Sequence, residues 1–177
     1  MPSRHRNCLL ILALASVSLP SPLHGQARPE HQHTPAAPST SLVLTVDGKP
    51  TTLTVSDLQS LPQKTITVHN EHTKADETYT GVLLSDLLAK YSFAVGESTH
   101  QKMLHSYLKA EGTDKYWVLY SATEIEGSEH TADVIVATSL NGKPLTDDGQ
   151  LKLVASADKR PARWVRNLSA ITLVTVP

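Results

Sequence analysis

The chain has 177 residues, 16 Lys and Arg against 17 Asp and Glu, and one cysteine. This length suits a single domain, and the near-neutral balance offers no basic footprint for a nucleic-acid backbone. A lone cysteine excludes an internal disulfide framework and any zinc site built from several thiolates.

The N-terminus opens with Arg4 and Arg6, runs through apolar residues from Cys8 to Leu19 and exits at Gly25-Gln26-Ala27. This is the three-part layout of a secretory signal peptide over residues 1–27. The apolar run is about a dozen residues, short of the roughly 20 that span a bilayer, so no lasting membrane anchor is expected. Cys8 lies at the start of the run, whereas a lipid-modified cysteine would follow its end. Cleavage after Ala27 would make the protein periplasmic or secreted, discard the cysteine, and leave 14 basic against 17 acidic residues. Residues 28–41 are Pro, His, Thr, Ser and Ala with little to bury, which predicts a flexible linker. His31 and His33 within it could take up copper or zinc, but two unsupported imidazoles fall short of a site.

From residue 42 to 177 the pattern is that of one folded domain. Leu42, Leu44 and Val46 alternate with smaller neighbours, Asp47-Gly48 supplies a turn, and Thr51 to Val55 returns, predicting a hairpin. Ser56 with Gln59 predicts a capped short helix that stops before Pro62. Thr65 to His69 is β-rich, and the polar stretch Asn70 to Thr78 reads as a loop. Tyr79-Thr80-Gly81-Val82 then leads into a helix with Leu83, Leu84, Leu87, Leu88 and Tyr91 at helical spacing. Met103 to Ala110 and Tyr116 to Tyr120 predict two paired strands around Glu111-Gly112-Thr113-Asp114, and Ser121 with Glu124 caps a further short helix. Asp133 to Thr138, Leu151 to Ala155 and Ala170 to Val176 complete the strands, with a hairpin turn at Asn141-Gly142. Strands dominate and the helices are too short for parallel crossovers, so the fold class expected is α+β.

One segment gathers charge. Between two strands, Asp158 to Arg166 places Lys159, Arg160, Arg163 and Arg166 around Trp164. Guanidinium forks pair with phosphate oxygens and a lysine adds a point charge, so this turn could hold a phosphorylated small molecule. The same residues also fit a solvated surface loop with Trp164 in the core. No G-x-S-x-G elbow, P-loop or H-E-x-x-H motif occurs, and the closeness of Ser121, Ser128 and His130 in sequence is no evidence for a triad.

Several stretches occur in a telling order: Val46-Asp47-Gly48-Lys49-Pro50, Leu58 to Leu61, Tyr79-Thr80-Gly81-Val82-Leu83-Leu84 with Asp86-Leu87-Leu88, Leu151-Lys152-Leu153-Val154, and Arg163-Trp164-Val165-Arg166. Together they resemble the molybdopterin-binding domain of the sulfite oxidase family, from about Leu42 to Val176. The resemblance implies an α+β fold on a mixed, strongly coiled β-sheet with short inserted helices, and a pterin cofactor whose dithiolene holds molybdenum. It implies that Lys159, Arg160, Arg163 and Arg166 hold the pterin phosphate, with Asn70 beside the cofactor. A metal-ligating cysteine is implied at the strand end before the aromatic-x-Gly-Val stretch, a place that falls at Val68 to Asn70, with His69 as the metal candidate here.

The mature chain has no cysteine, and imidazole is not interchangeable with a soft thiolate at molybdenum. His72 adds only a second imidazole three residues on. The expectation is therefore a binding module for a small anionic ligand or pterin, without molybdenum redox chemistry. A molybdopterin-dependent oxidoreductase with an altered metal ligand, passing electrons to a separate exported protein, is the second reading. A structural or interaction domain with a vestigial cleft is the third.

Overall fold

The computed structural model describes residues 36–91, 93, 99–126, 133–147 and 149–177. The predicted signal peptide, His31, His33, Ser128 and His130 lie outside the described residues. All described residues belong to one unit, His33–Pro177.

Strands β1 (Ser41–Val46) and β2 (Lys49–Thr54) form the expected hairpin. Its corner needs positive φ at both central residues, 48° at Asp47 and 74° at Gly48, the turn that matches strand twist. Helix α1 (Val55–Gln59) follows at once. Its capping box is Thr54 with Asp57 rather than Ser56 with Gln59: the Asp57 amide donates to Thr54 Oγ1 at 3.1 Å, and the Thr54 amide donates to Asp57 Oδ2 at 2.8 Å. The last strand residue is already extended, so its hydroxyl reaches the first free amides before that of Ser56 can.

Strands β3 (Lys64–Asn70) and β4 (Ala75–Leu83) pair antiparallel through the short turn 71–74. The loop expected over Asn70 to Thr78 is thus mostly strand. Polar residues occupy both faces here, which erased the apolar alternation that marks a strand. Outward, Thr65 meets Thr80 at 2.9 Å and Thr67 meets Thr78 at 3.0 Å, a cross-strand ladder.

Helices α2 (Leu84–Lys90) and α3 (His100–Leu104) precede β5 (Ser106–Gly112), so Met103 begins no strand but sits in a helix, fully buried. Then come β6 (Trp117–Ser121), α4 (Ala122–Glu126), β7 (Val134–Leu140), β8 (Lys143–Pro144), β9 (Lys152–Ala155), a 3₁₀ turn (Pro161–Arg163) and β10 (Leu168–Thr175).

The strands divide into two five-stranded sheets. The first has the order β2-β1-β10-β5-β6 and is mixed, because β1 and β10 run parallel. The second runs β3-β4-β7, with β8 and β9 sharing the far side of β7. The α+β class with mixed strands and few short helices is as the sequence predicts. Leu42, Leu44, Leu108 and Ile171 of the first sheet and Tyr79, Ile135 and Leu153 of the second belong to one apolar core, which Leu87 and Leu88 of α2 also enter.

Candidate functional site

The β3–β4 turn and the segment around the 3₁₀ turn line a common cleft of about 690 Å³. Period two in β4 turns Glu77, Tyr79 and Gly81 to the buried face. Lys152 opens β9 as the one charge in the fully buried run Leu151 to Ala155. These two strands meet the cleft at Glu77, Tyr79 and Lys152, which form its polar floor.

The floor is a chain of hydrogen bonds. Lys152 Nζ donates to Tyr79 Oη at 2.8 Å, and Tyr79 Oη donates to Glu77 Oε2 at 2.6 Å. Asn70 Nδ2 also donates to Oε2, at 2.9 Å, and Thr73 Oγ1 donates to Oε1 at 2.9 Å. Burial pushes the Glu77 carboxyl up, but the hydrogen bonds from Tyr79, Asn70 and Thr73, with the Lys152 charge, outweigh it and hold the group below its ordinary value. Lys152 Nζ lies 4.9 Å from the Tyr79 ring centroid and 5.6 Å from that of Trp164. The two rings meet edge to face at 5.9 Å, and Trp164 Nε1 donates to the Ala155 carbonyl at 3.1 Å. The ammonium thus sits in an aromatic corner whose π-faces attract it.

This carboxyl has a consequence for acid stability. A folded-state pKa below the unfolded one gives a contribution that is complete above the unfolded value of 4.5 and is lost as pH falls through the folded value. Melting curves from pH 7 down to about pH 3 should therefore show the advantage of wild type over Glu77→Gln shrinking below pH 4.5. An advantage that stays constant across that window would mean that the carboxyl titrates alike in the folded and unfolded chains, and one that grows as the pH falls would mean that folding raises its pKa.

The residues expected to hold a ligand separate into those the fold brings to the cleft and those it does not. Asn70, Arg160 and Arg166 line it. Lys159 is exposed and not part of the lining. Arg163 is turned elsewhere: its Nη1 and Nη2 donate to the two Glu124 oxygens at 3.2 and 2.7 Å, its Nε and Nη2 donate to Asp158 at 3.3 and 2.5 Å, and its guanidinium lies 4.6 Å over the Tyr120 ring. The hydrogen bonds to Glu124 and then Asp158 push its pKa above even the ordinary arginine value. Arg163 fastens the cleft segment to α4 rather than facing a ligand.

His69, the metal candidate, also lies outside the lining. The β3 alternation buries Val68 and Asn70 and leaves His69 outside, where its Nδ1 pairs with Asp76 Oδ1 at 2.8 Å. Asn70 spends its side chain on the turn as well as on Glu77, because its Oδ1 accepts from the His72 amide at 2.9 Å. Among the described residues no three His, Cys, Asp or Glu side chains are grouped to hold a metal.

Glu77, Tyr79, Lys152 and Thr73 were not singled out as site residues from sequence. The usable signal was Lys152, since a lysine inside an apolar strand run must find an anionic or aromatic partner.

Two likenesses place the chain among known proteins. It matches the family described as oxidoreductase molybdopterin binding domain over residues 31–175. No curated protein is similar enough to count as a match. Among solved structures, the sulfane dehydrogenase SoxCD from Paracoccus pantotrophus is similar with a TM-score of 0.57 and 21% identity, a likeness of fold. The alignment covers 75% of this chain and 37% of that one, so this chain spans little more than a third of its length. The matched region takes in both sheets and every residue of the cleft, and the chain belongs to the oxidoreductase molybdopterin-binding-domain family.

Proposed function

We propose that the protein is an exported binding module for a small anionic ligand of the phosphorylated pterin class, working without molybdenum redox chemistry. The observation that carries the reading is the cleft itself, which Arg160, Arg166, the buried Lys152 and Trp164 line together, with Lys152 Nζ 5.6 Å from the Trp164 ring centroid.

The side chains present fit one half of the cofactor that the family is named for. A volume of about 690 Å³ lies within the range of small-molecule sites. The guanidinium forks of Arg160 and Arg166 suit a phosphate, and the Lys152 and Trp164 corner suits a flat, electron-rich heterocycle. The metal half does not fit. The sole cysteine is Cys8, so the described residues offer no thiolate, and His72 contributes a single imidazole to the lining. Molybdenum lacks its soft protein ligand here, and no electron-transfer step follows from these residues.

Binding then needs only this chain's own groups. Arg160 and Arg166 hold the phosphate at the rim, Lys152 faces the ring system from the floor, and the Glu77 network fixes Lys152 and the β3–β4 turn in place. Arg163 positions Arg160 through its grip on Asp158 and Glu124.

Titration of a phosphorylated pterin, followed by Trp164 fluorescence and calorimetry, tests the assignment. Removing either guanidinium from the phosphate should cost about 1.5 kcal/mol or more, so Arg160→Ala with Arg166→Ala should weaken binding by about 100-fold. The unphosphorylated pterin should bind more weakly to wild type and be indifferent to the double substitution. Equal affinity of the double variant for the phosphorylated ligand would remove the phosphate seat from this cleft. Protein recovered after export should begin at Arg28 and carry no stoichiometric molybdenum; metal-loaded protein that oxidises a substrate would instead establish the oxidoreductase reading.

A further inference from the structure

The two sheets expose their outer edges at β2, β3, β6 and β8, and three of these are guarded in the usual way. Strand β2 begins Lys49-Pro50, β8 is Lys143-Pro144, and β3 begins with Lys64 and carries the His69–Asp76 ion pair. The open side of β9 is bridged through Leu153 to Val165. Lysine, proline and charge on an edge strand deter pairing with another chain.

Strand β6 has none of these guards. Its sequence is Trp-Val-Leu-Tyr-Ser, without charge, proline or glycine, and among the described residues it pairs only with β5. Trp117 and Leu119 are 53% and 47% exposed on the outer face, and Tyr116 beside them is 45% exposed. The strand is nonetheless held firmly. Val118 and Tyr120 are buried beneath it, and Tyr120 Oη donates to the Arg163 carbonyl at 2.8 Å. The charges beside it are paired: Lys109 and Glu111 on β5 meet at 2.9 Å, with Lys109 Nζ 5.4 Å over the Trp117 ring, and the Arg163 guanidinium 4.6 Å from the Tyr120 ring is held by Glu124 and Asp158. A rigid, uncharged, apolar edge is a template for an added strand.

We infer that β6 is a docking edge and that its occupant is a second copy of this chain. An uncharged apolar strand is matched by a partner strand that brings no charge of its own. Among the described edges only β6 meets that condition, so it complements itself. Antiparallel pairing about a twofold axis at Leu119 sets Trp117 opposite Ser121 of the partner subunit and Leu119 opposite its own counterpart, joining two five-stranded sheets into one continuous sheet. Two five-residue strands make a small interface, below about 1,200 Å², so the dimer is a weak and reversible one. The contact is independent of what the cleft binds, although the hydroxyls of Tyr116 and Tyr120 tie this edge to the Ala162 and Arg163 carbonyls of the cleft segment.

Sedimentation velocity of the purified chain between about 1 and about 500 µM should show mass rising from one to two copies. Leu119→Lys places a cation on an already exposed site and should weaken self-association at least about tenfold while leaving the melting temperature within a few degrees. In a Cys8→Ser background, Leu119→Cys should oxidise to a covalent dimer far faster than Thr52→Cys on the guarded β2 edge. A wild-type chain that stays monomeric throughout, or Leu119→Lys protein that associates as well as wild type, overturns the proposal. A monomer that captures a foreign extended segment on this edge would overturn the choice of occupant.

Discussion

Gly81→Ala is expected to remove most of the folding stability at 25 °C. A Cβ at this position would lie 2.1 Å from the Val136 carbonyl oxygen, 2.6 Å from the Val136 carbonyl carbon and 2.5 Å from Ala137 Cα. All three are backbone atoms of β7, so no rotamer change can make room. The pairing of β4 with β7 shifts register between Thr80 and Gly81, and that irregularity lets the two strands approach so closely. Relief would require β7 to leave β4, and β7 is the strand on which β4, β8 and β9 all depend. The cost should exceed about 4 kcal/mol, a large part of the 5–15 kcal/mol that holds a domain of this size together. Gly142→Ala is the control: nothing lies within 4 Å of its added carbon, and only its φ of 76° is penalised, so about 1 kcal/mol is expected. Urea unfolding followed by circular dichroism separates the two. A Gly81→Ala protein with a near-normal midpoint would contradict the β4–β7 register.

Lys152→Met should also be damaging, by an electrostatic route. The substitution keeps most of the side-chain volume in the aromatic corner but removes the cation that balances Glu77, leaving a carboxylate buried without an opposite charge. Lys152 reaches that carboxylate through Tyr79 Oη and not by direct contact, so the loss should be about 1–3 kcal/mol, below that of a broken direct pair. The loss should be partly recovered in two ways: by adding Glu77→Gln, which removes the stranded charge, and by lowering the pH, which protonates it. Urea midpoints for wild type, both single variants and the double variant at neutral and mildly acid pH form the complete test. Additive losses in the double variant would show that the two groups, joined through Tyr79 Oη, are energetically independent.

Local signals in the sequence were enough for the elements whose apolar residues keep a regular period. The β1–β2 hairpin, the leucine-rich α2 and the strands β5, β6, β7, β9 and β10 are legible from alternation, helical spacing and turn residues. The β3–β4 hairpin was not, because Asn70 and Glu77 stand on its buried side where apolar residues would have announced a strand. Division into two sheets depends on pairings between segments far apart in the chain, which no local pattern encodes. The site shows the same boundary. His69 and Asn70 are adjacent, and a single step of strand register decides which enters the cleft and which pairs with Asp76 outside. Arg160 and Arg163 are chemically identical, and what makes Arg163 the anchor is its hold on Asp158 and on Glu124, 39 positions before it. The family resemblance located the basic segment; it could not say which guanidinium the acids would claim.

The middle strand of the first sheet, β10, is also the last of its five to be synthesised. A ribosome releasing this chain has already produced β1–β2 and β5–β6 as two unconnected hairpins, each showing an apolar flank, before the segment that unites them exists. Cooperative closure must wait for residues 168–175, and a chain without them loses not a fringe but the seam between its two halves.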